Sequence, residues 1–319
     1  MIVGFLDLLG FSQLLEISTE IALDNVNSFN LEIERRIKDR FSAEEYTKKY
    51  PDGRNFAENL IGTSFDQLIS FSDSLILGSR SMELFVRQLC NFVSSLYILY
   101  SEPFGEPFEN IFDVDSNRVS SYENGMPRYH KAFPILFRGG LSVGEDSFFF
   151  EQPYIKNGVF CNDGYNVFGK TYLNAVRLEK SGKGPRLFCD RSVIDSIQNK
   201  QIIREVDREK GIFEIIWTIE GCETLSCCSE AWNNIMGAVD SKLLPPAINF
   251  VKFYNSNQEY KEFLPHYEEL LKLVCRGIVK YAADACDKGE KALEKINFFL
   301  KKAGLSEYTL SDLLDGFIE

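Results

Sequence analysis

Two aspartates stand where apolar strands would not ordinarily carry charge. Asp7 closes the run Ile2-Val3-Gly4-Phe5-Leu6, and Asp73 sits between Phe71-Ser72 and Ser74-Leu75-Ile76-Leu77. A carboxylate at the end of a buried strand is costly without a partner, and a cation is the simplest one. If the two segments neighbour one another in a sheet, the carboxylates meet at one edge. An oxygen-rich site of that kind suits Mg²⁺ or Mn²⁺. Singly, Asp7 reads as the cap of a following helix and Asp73 as a turn residue; the chemistry comes from their company. Leu8-Leu9-Gly10-Phe11-Ser12 follows Asp7, and a glycine between strand and helix lets backbone N–H groups converge on an anion such as phosphate. Arg177 falls on an amphipathic stretch, where it reads as a surface cation or as a group that holds charge growing on phosphorus. Arg138-Gly139-Gly140-Leu141-Ser142-Val143-Gly144 is a strand rich in glycine, which marks close approach of a ligand or of another backbone.

The elements that must position these groups follow from periodicity and punctuation. Ile2 to Leu8 reads as a buried strand, followed by a helix from about Phe11 to Arg40. Ser42 to Asn59 is a polar insertion with the turn Pro51-Asp52-Gly53. Gln67 to Leu77 reads as a hairpin with Asp73 at its tip. A helix over Met82 to Tyr100, a loop over Glu102 to Arg128, a central strand over Ile135 to Val143 and a helix over Val167 to Lys180 come next. Arg186 to Cys189 reads as a strand, Val193 to Asn199 as a short helix, and Ile202 to Val206 with Ile212 to Ile219 as a closing antiparallel pair. Beyond Gly221 only helical spacing remains, over Ser226 to Ala238, Ala247 to Tyr254, Tyr260 to Lys288 and Lys291 to Ala303, with Pro245-Pro246 as punctuation. The reading is an α+β sandwich over residues 1–222 and a helical region over 223–319.

Composition narrows the function. The chain has 319 residues, 45% hydrophobic, enough for a sizeable core, and a formal net charge of −12. Such a surface argues against nucleic acid and anionic membrane, but not against a mononucleotide whose phosphates are neutralised by divalent metal. No apolar run is long enough for a membrane span. Eight cysteines without zinc spacing, behind a start that carries no secretory segment, read as reduced and mostly buried in a cytoplasmic protein.

Taken in order, these segments resemble the catalytic domain of class III adenylate and guanylate cyclases. Phe5-Leu6-Asp7-Leu8-Leu9-Gly10-Phe11 looks like the first metal motif of that family. Ser70-Phe71-Ser72-Asp73 looks like the second, with Ser72 where glycine is common. Phe137 to Gly144 looks like the central strand, and Tyr165-Asn166-Val167-Phe168-Gly169 through Ala175-Val176-Arg177-Leu178-Glu179 like the segment of the base reader and the transition-state arginine. The resemblance covers roughly residues 1 to 219. It implies a mixed, mainly antiparallel sheet flanked by helices. It also implies two metal ions, Mg²⁺ or Mn²⁺, on Asp7, Asp73 and the carbonyl of Leu8, with phosphates at Gly10, Phe11 and Ser12 and Arg177 at the α-phosphoryl oxygens. The site of the family forms between two chains, so a homodimer is expected.

Departures from the family pattern refine this. The base-selecting Lys or Glu is Ile69 here, its partner position is Asn166, and the Asn four residues before the arginine is Leu173, beside Asn174. Lys210 is the one candidate for the late phosphate-binding lysine. With the purine-reading pair dismantled, the chain looks most like the bacterial pyrimidine cyclases of Pycsar anti-phage systems, whose cyclic UMP or cyclic CMP activates a separate effector. UTP is the favoured substrate and CTP the next, with Asn166 reading the base and Phe65, Phe71 or Tyr165 limiting pocket size. The alternatives are an adenylate or guanylate cyclase, a catalytically inactive nucleotide-binding module, and an adaptor built on the helical region.

Overall fold

The computed structural model describes residues 1–38, 63–113, 118–123, 126–131, 133–225 and 231–314. The Ser42–Asn59 insertion, Cys227 and Cys228 lie outside them. At the centre is a seven-stranded sheet. Its strands are β1 (Ile2–Leu8), β2 (Gln67–Phe71), β3 (Ser74–Ser79), β6 (Phe137–Val143), β9 (Leu187–Asp190), β10 (Ile203–Asp207) and β11 (Ile212–Ile215). Their order is β10-β11-β9-β6-β1-β3-β2. Only β6 and β9 pair parallel; the other neighbours are antiparallel. The α+β class with a mixed, mainly antiparallel sheet and a helical C-terminal region is therefore what the chain adopts.

β1 is apolar because both its edges are paired and both its faces are covered. Ile2, Leu6 and Leu8 enter the large core, against which α3 (Met82–Ser101) also packs. Val3 and Phe5 face the other way, into a small cluster with Ile69, Ile76, Val167 and Tyr172. Period-two alternation puts Asp7 on that second face. The helix α4 (Lys170–Glu179) covers it. A Cβ on Gly140 would lie 2.1 Å from the Ala175 carbonyl oxygen and 2.7 Å from the Glu179 nitrogen, so glycine there admits the helix backbone itself. The close approach in this strand is to protein.

The structure departs from the sequence reading at several places. The first helix is two: α1 (Phe11–Ile17) and α2 (Thr19–Lys38). Ser18 is extended, and its hydroxyl accepts the Ile21 N–H at 3.3 Å, capping α2. Within the expected loop after Glu102, β4 (Arg118–Glu123) and β5 (Met126–Lys131) form a hairpin. β7 (Ser147–Lys156) and β8 (Val159–Gly169) form another, so Val167 to Gly169 are strand and α4 starts at Lys170. Ile212 to Ile219 is strand only to Ile215, and α6 (Thr218–Thr224) follows. The short α5 (Arg191–Ser196) lies between β9 and β10, with Asp190 as its cap.

The C-terminal helices are α7 (Ala231–Gly237), α8 (Leu244–Ser256), α9 (Leu264–Cys286), α10 (Gly289–Lys302) and α11 (Leu310–Leu313). Pro245-Pro246 opens α8 instead of breaking it, since the first turn has no use for those N–H groups. Leucines and aromatics of α8 and α9 belong to the same core as β1 and α3. Residue 222 falls inside α6, and buried hydrogen bonds flank that junction among the described residues. Trp217 Nε1–H donates to Pro185 C=O at 2.8 Å, Tyr97 O–H to Leu243 C=O at 2.7 Å and Thr218 O–H to Leu273 C=O at 2.7 Å. Glu214, fully buried, takes Arg186 at 2.5 Å and Arg204 at 3.2 Å, while Arg186 also reaches Glu269 of α9 at 3.4 Å. Cys90, Cys189, Cys222 and Cys275 are buried free thiols. Burial pushes them up, to about 12 for Cys275, which keeps them protonated and unreactive. Among the described residues no helix is long and apolar enough to cross a membrane.

Candidate active site

The register of three strands assembles the site. Asp7 stands opposite Ser74 on β3 and opposite Arg138 on β6. Ser74 O–H donates to Asp7 Oδ1 at 3.1 Å, and Arg138 gives Nη2–H and Nε–H to Oδ2 at 2.8 and 3.1 Å. Asp73 lies in the two-residue turn that joins Phe71 to Ser74, and the Leu8 N–H donates to its carbonyl at 3.0 Å. Ser72 takes φ +55 in that turn, a left-handed conformation glycine would adopt at less cost. The two carboxylates thus meet at one end of the sheet, as the hairpin reading expects.

Burial and the proximity of Asp7 both weigh on the charged form of Asp73. Burial pushes the Asp73 carboxyl above its ordinary 3.8, and the Asp7 charge adds to that, against the pull of its own backbone N–H. Arg138 is shared with Glu179 on α4, at 2.5 Å. Glu179 is itself held up by burial and drawn down by Arg138. Neither Arg138 nor Glu179 emerges from the sequence as part of the site. Both follow from the strand pairing and from the seating of α4 on Gly140.

Asp7, Leu8, Gly10, Phe11, Ser12 and Asp73 all line one pocket of about 650 Å³, with Arg138. Gly10 takes φ +79 at the start of α1, open on the side a Cβ would occupy, so the requirement for glycine there is conformational. The helix behind the loop has seven residues, not the thirty of the sequence reading, so the phosphate-binding argument rests on the loop N–H groups more than on a long dipole. The opposite wall comes from the C-terminal region, through Glu259, Tyr260, Glu262, Phe263, His266 and Tyr267. No signal in the sequence placed that segment here.

The other expected site residues do not line this pocket. Ile69 packs beside Val3 and Ile76. Asn166 gives Nδ2–H to Gln152 Oε1 at 2.5 Å, and its Oδ1 accepts the Val167 N–H at 2.8 Å. Arg177 is exposed in the last turn of α4. Leu173 and Asn174 are exposed on the same helix. Phe65 packs edge-on against Phe85; Phe71 is exposed, and Tyr165 O–H donates to Gln67 Oε1. Lys210 lies in the β10–β11 turn, paired with Asp207 at 2.9 Å on the far edge of the sheet.

The donor set of the pocket fits a hard divalent cation. Asp7, Asp73 and the Leu8 carbonyl offer oxygen alone, and a cation between the carboxylates would offset the burial and, secondarily, the Asp7 charge that raise Asp73. Among the described residues no group of three or more His, Cys, Asp and Glu side chains could hold a metal ion. Mg²⁺ is commonly bound by one or two carboxylates together with substrate phosphates.

No family model matches the chain, and no curated protein matches it. Solved structures do. The catalytic core of a rhodopsin-guanylyl cyclase with converted specificity, in complex with ATPαS, is 14% identical over 67% of this chain and 93% of that one, with a TM-score of 0.37. The guanylate cyclase domain of RhGC from Catenaria anguillulae, in complex with GTP, is 14% identical over 67% and 92%, with a TM-score of 0.36. An adenylyl cyclase from P. aeruginosa is 11% identical over 67% and 92%, also at 0.36. At such identities and TM-scores the likeness leaves the functional argument to the site of this chain.

Proposed function

We propose that this protein is a nucleotide cyclase that converts a pyrimidine nucleoside triphosphate, UTP in preference to CTP, to its 3′,5′-cyclic monophosphate and pyrophosphate. The observation that carries the reading is the convergence of Asp7 and Asp73 on one pocket with the Gly10–Ser12 loop. Asp7, Asp73 and the Leu8 carbonyl would hold two Mg²⁺ or Mn²⁺ ions. Those ions, when bound, lower the pKa of the ribose 3′-hydroxyl and neutralise the triphosphate. The chain supplies the rest. N–H groups of Gly10 to Ser12 orient the β and γ phosphates. Arg138 holds Asp7 in place while Ser74 fixes its other oxygen. Arg177 neutralises charge that grows on the α-phosphoryl oxygens as the 3′-oxygen attacks and pyrophosphate leaves.

Arg177, Asn166 and Ile69 lie off the pocket of their own chain, which supports a site completed by a second copy. The β7–β8 hairpin supports the same reading. It exposes Phe148, Ile155, Val159, Phe160 and Phe168, more apolar surface than an isolated hairpin ordinarily leaves in water. In a head-to-tail homodimer each chain gives Asp7 and Asp73 to one site and Asn166 and Arg177 to the other. Beyond its bonds to Gln152 and Val167, the Asn166 amide has a second N–H and a second carbonyl lone pair, the donor and acceptor a pyrimidine edge needs. The role in anti-phage signalling, through a separate cyclic-nucleotide effector in the cytoplasm, rests on the motif resemblance of Phe5–Phe11 and Phe71–Ser74.

A mixing experiment tests the composite site. Asp7→Asn and Arg177→Ala homodimers should each be inactive or nearly so, and co-refolded mixtures should regain activity through heterodimers with one intact site. Mixtures as inactive as their parents, with heterodimer shown to form, would sink the two-chain reading. A second reading has one observation in its favour: Arg138 already satisfies Asp7 Oδ2, as in a nucleotide-binding module without turnover. Metal-dependent triphosphate binding without product would select it.

A further inference from the structure

The pocket wall contributed by the C-terminal region carries one group whose protonation state the geometry settles. His266 lies in the first turn of α9 and lines the pocket with Asp7, Gly10 and Arg138. Its Nδ1 accepts the Gly184 backbone N–H at 3.0 Å. A backbone N–H can only donate, so Nδ1 is without a proton, and the proton of the neutral ring sits on Nε2. Burial, and then the positive charges of Arg138 and Lys183, favour that neutral form. A ring fixed in this way cannot act as a base through Nε2, but it can donate from it. Glu16, Glu259, Glu262 and the two aspartates also line the pocket, and its other side-chain donors are Arg138, Ser12, Gln13, Tyr260 and Tyr267.

We infer that His266 is a substrate-binding residue, a neutral Nε2–H donor to a phosphoryl oxygen of the polyphosphate tail, brought to the site by the helical C-terminal region and held in its tautomer by the Gly184 N–H. This rests on the nucleotide reading of the pocket and adds to it a role for the region after residue 222. The loop between α4 and β9, which carries Gly184, sets the orientation of the ring, and α9 sets its position.

Two amides separate the contact from a merely structural one. His266→Gln places an amide N–H near Nε2 and gives up the acceptor for Gly184. His266→Asn places an oxygen near Nδ1, keeping the Gly184 bond, and gives up the pocket donor. The probe is pyrophosphate, and UTP in parallel, titrated with Mg²⁺ onto the full chain by calorimetry. The inference expects His266→Asn to bind both about ten- to a hundred-fold more weakly, the loss of one hydrogen bond to a charged group, and His266→Gln to bind close to wild type. The reverse pattern, with Asn retained and Gln impaired, makes His266 a brace for the Gly184 loop and overturns the inference, as do two variants that both bind like wild type or both fail. Binding of neither ligand by the wild type overturns the nucleotide reading and the inference with it. Binding is read apart from turnover, so a protein that binds pyrophosphate through His266 without making a cyclic product refutes the cyclase assignment alone.

Discussion

Gly140→Ala is the substitution through which the structure speaks most directly about how the site is held. The added Cβ would stand 2.1 Å from the Ala175 carbonyl oxygen and 2.7 Å from the Glu179 nitrogen. Carbon–oxygen contacts ordinarily sit at about 3.3–3.6 Å, so α4 has to lift by about 1 Å. Both atoms are backbone, so no rotamer change relieves the contact. Overpacking of this kind costs about 1–3 kcal/mol. With a slope of about 3 kcal/mol per molar urea, the unfolding midpoint should fall by about 0.3–1 M. The same lift carries Glu179 away from Arg138 and moves Arg177, the proposed catalytic group on the same helix, with it. A displacement of about 1 Å in a catalytic group is worth about a hundred-fold in turnover. Gly4→Ala, on the adjacent strand, is the control. Its Cβ meets side chains alone, Phe85 at 3.4 Å and Leu141 at 3.9 Å, and relief of glycine's entropy should leave the midpoint unchanged or slightly raised. Urea unfolding followed by tryptophan fluorescence gives both midpoints. Equal midpoints for Gly140→Ala and wild type would refute the seating of α4 on β6, and with it the account of how Arg138 is placed.

Other substitutions probe other joints. Glu214→Gln leaves Arg186, Arg204 and Arg276 without their buried counter-charge and should cost about 3–5 kcal/mol in urea unfolding; a cost below about 1 kcal/mol, the range of an exposed ion pair, would contradict it. Asp73 is raised above its ordinary 3.8, chiefly by burial, so its contribution to stability is fully present below that value and is lost as pH rises through the folded one. Asp73→Asn should therefore be more stable than wild type at neutral pH without metal, and should show no stability gain on adding Mn²⁺; a variant less stable than wild type would count against the crowding of the two carboxylates. Ile155→Ser with Phe160→Ser, on the exposed hairpin, should shift sedimentation from dimer to monomer and abolish activity. A dimer that survives the pair of changes would place the interface elsewhere.

What the sequence revealed and what it hid follow the range of the interactions. β1 was legible because a central strand covered on both faces is a continuous apolar run, and Asp7 stood out against it. The β2–β3 hairpin was legible from its polar tip, and Ser72 in a left-handed turn explains why glycine suits that position. The β7–β8 hairpin was not read, although Asn157 and Gly158 both take positive φ and Asn-Gly is a strong signal for a tight turn. Its outward phenylalanines blurred the alternation that marks a half-buried strand. Arg138 escaped notice as a site residue because its bond to Asp7 spans 131 residues and depends on sheet register, which local periodicity does not encode. The wall around His266 depends on packing of α9 against α6 and β11, which is set by buried polar bonds such as Thr218 to Leu273. Helical spacing alone marks α9 as amphipathic without saying which pocket its first turn will reach.

The central claim is tested most directly by a product assay. Purified protein is incubated separately with ATP, GTP, CTP and UTP in the presence of Mn²⁺, and the products are identified by mass spectrometry. The account predicts a cyclic pyrimidine monophosphate, chiefly cyclic UMP, with pyrophosphate in equal amount, and none from Asp7→Asn. A cyclic purine would contradict the reading of Ile69 and Asn166, and the absence of cyclic product from all four nucleotides would contradict the cyclase assignment itself.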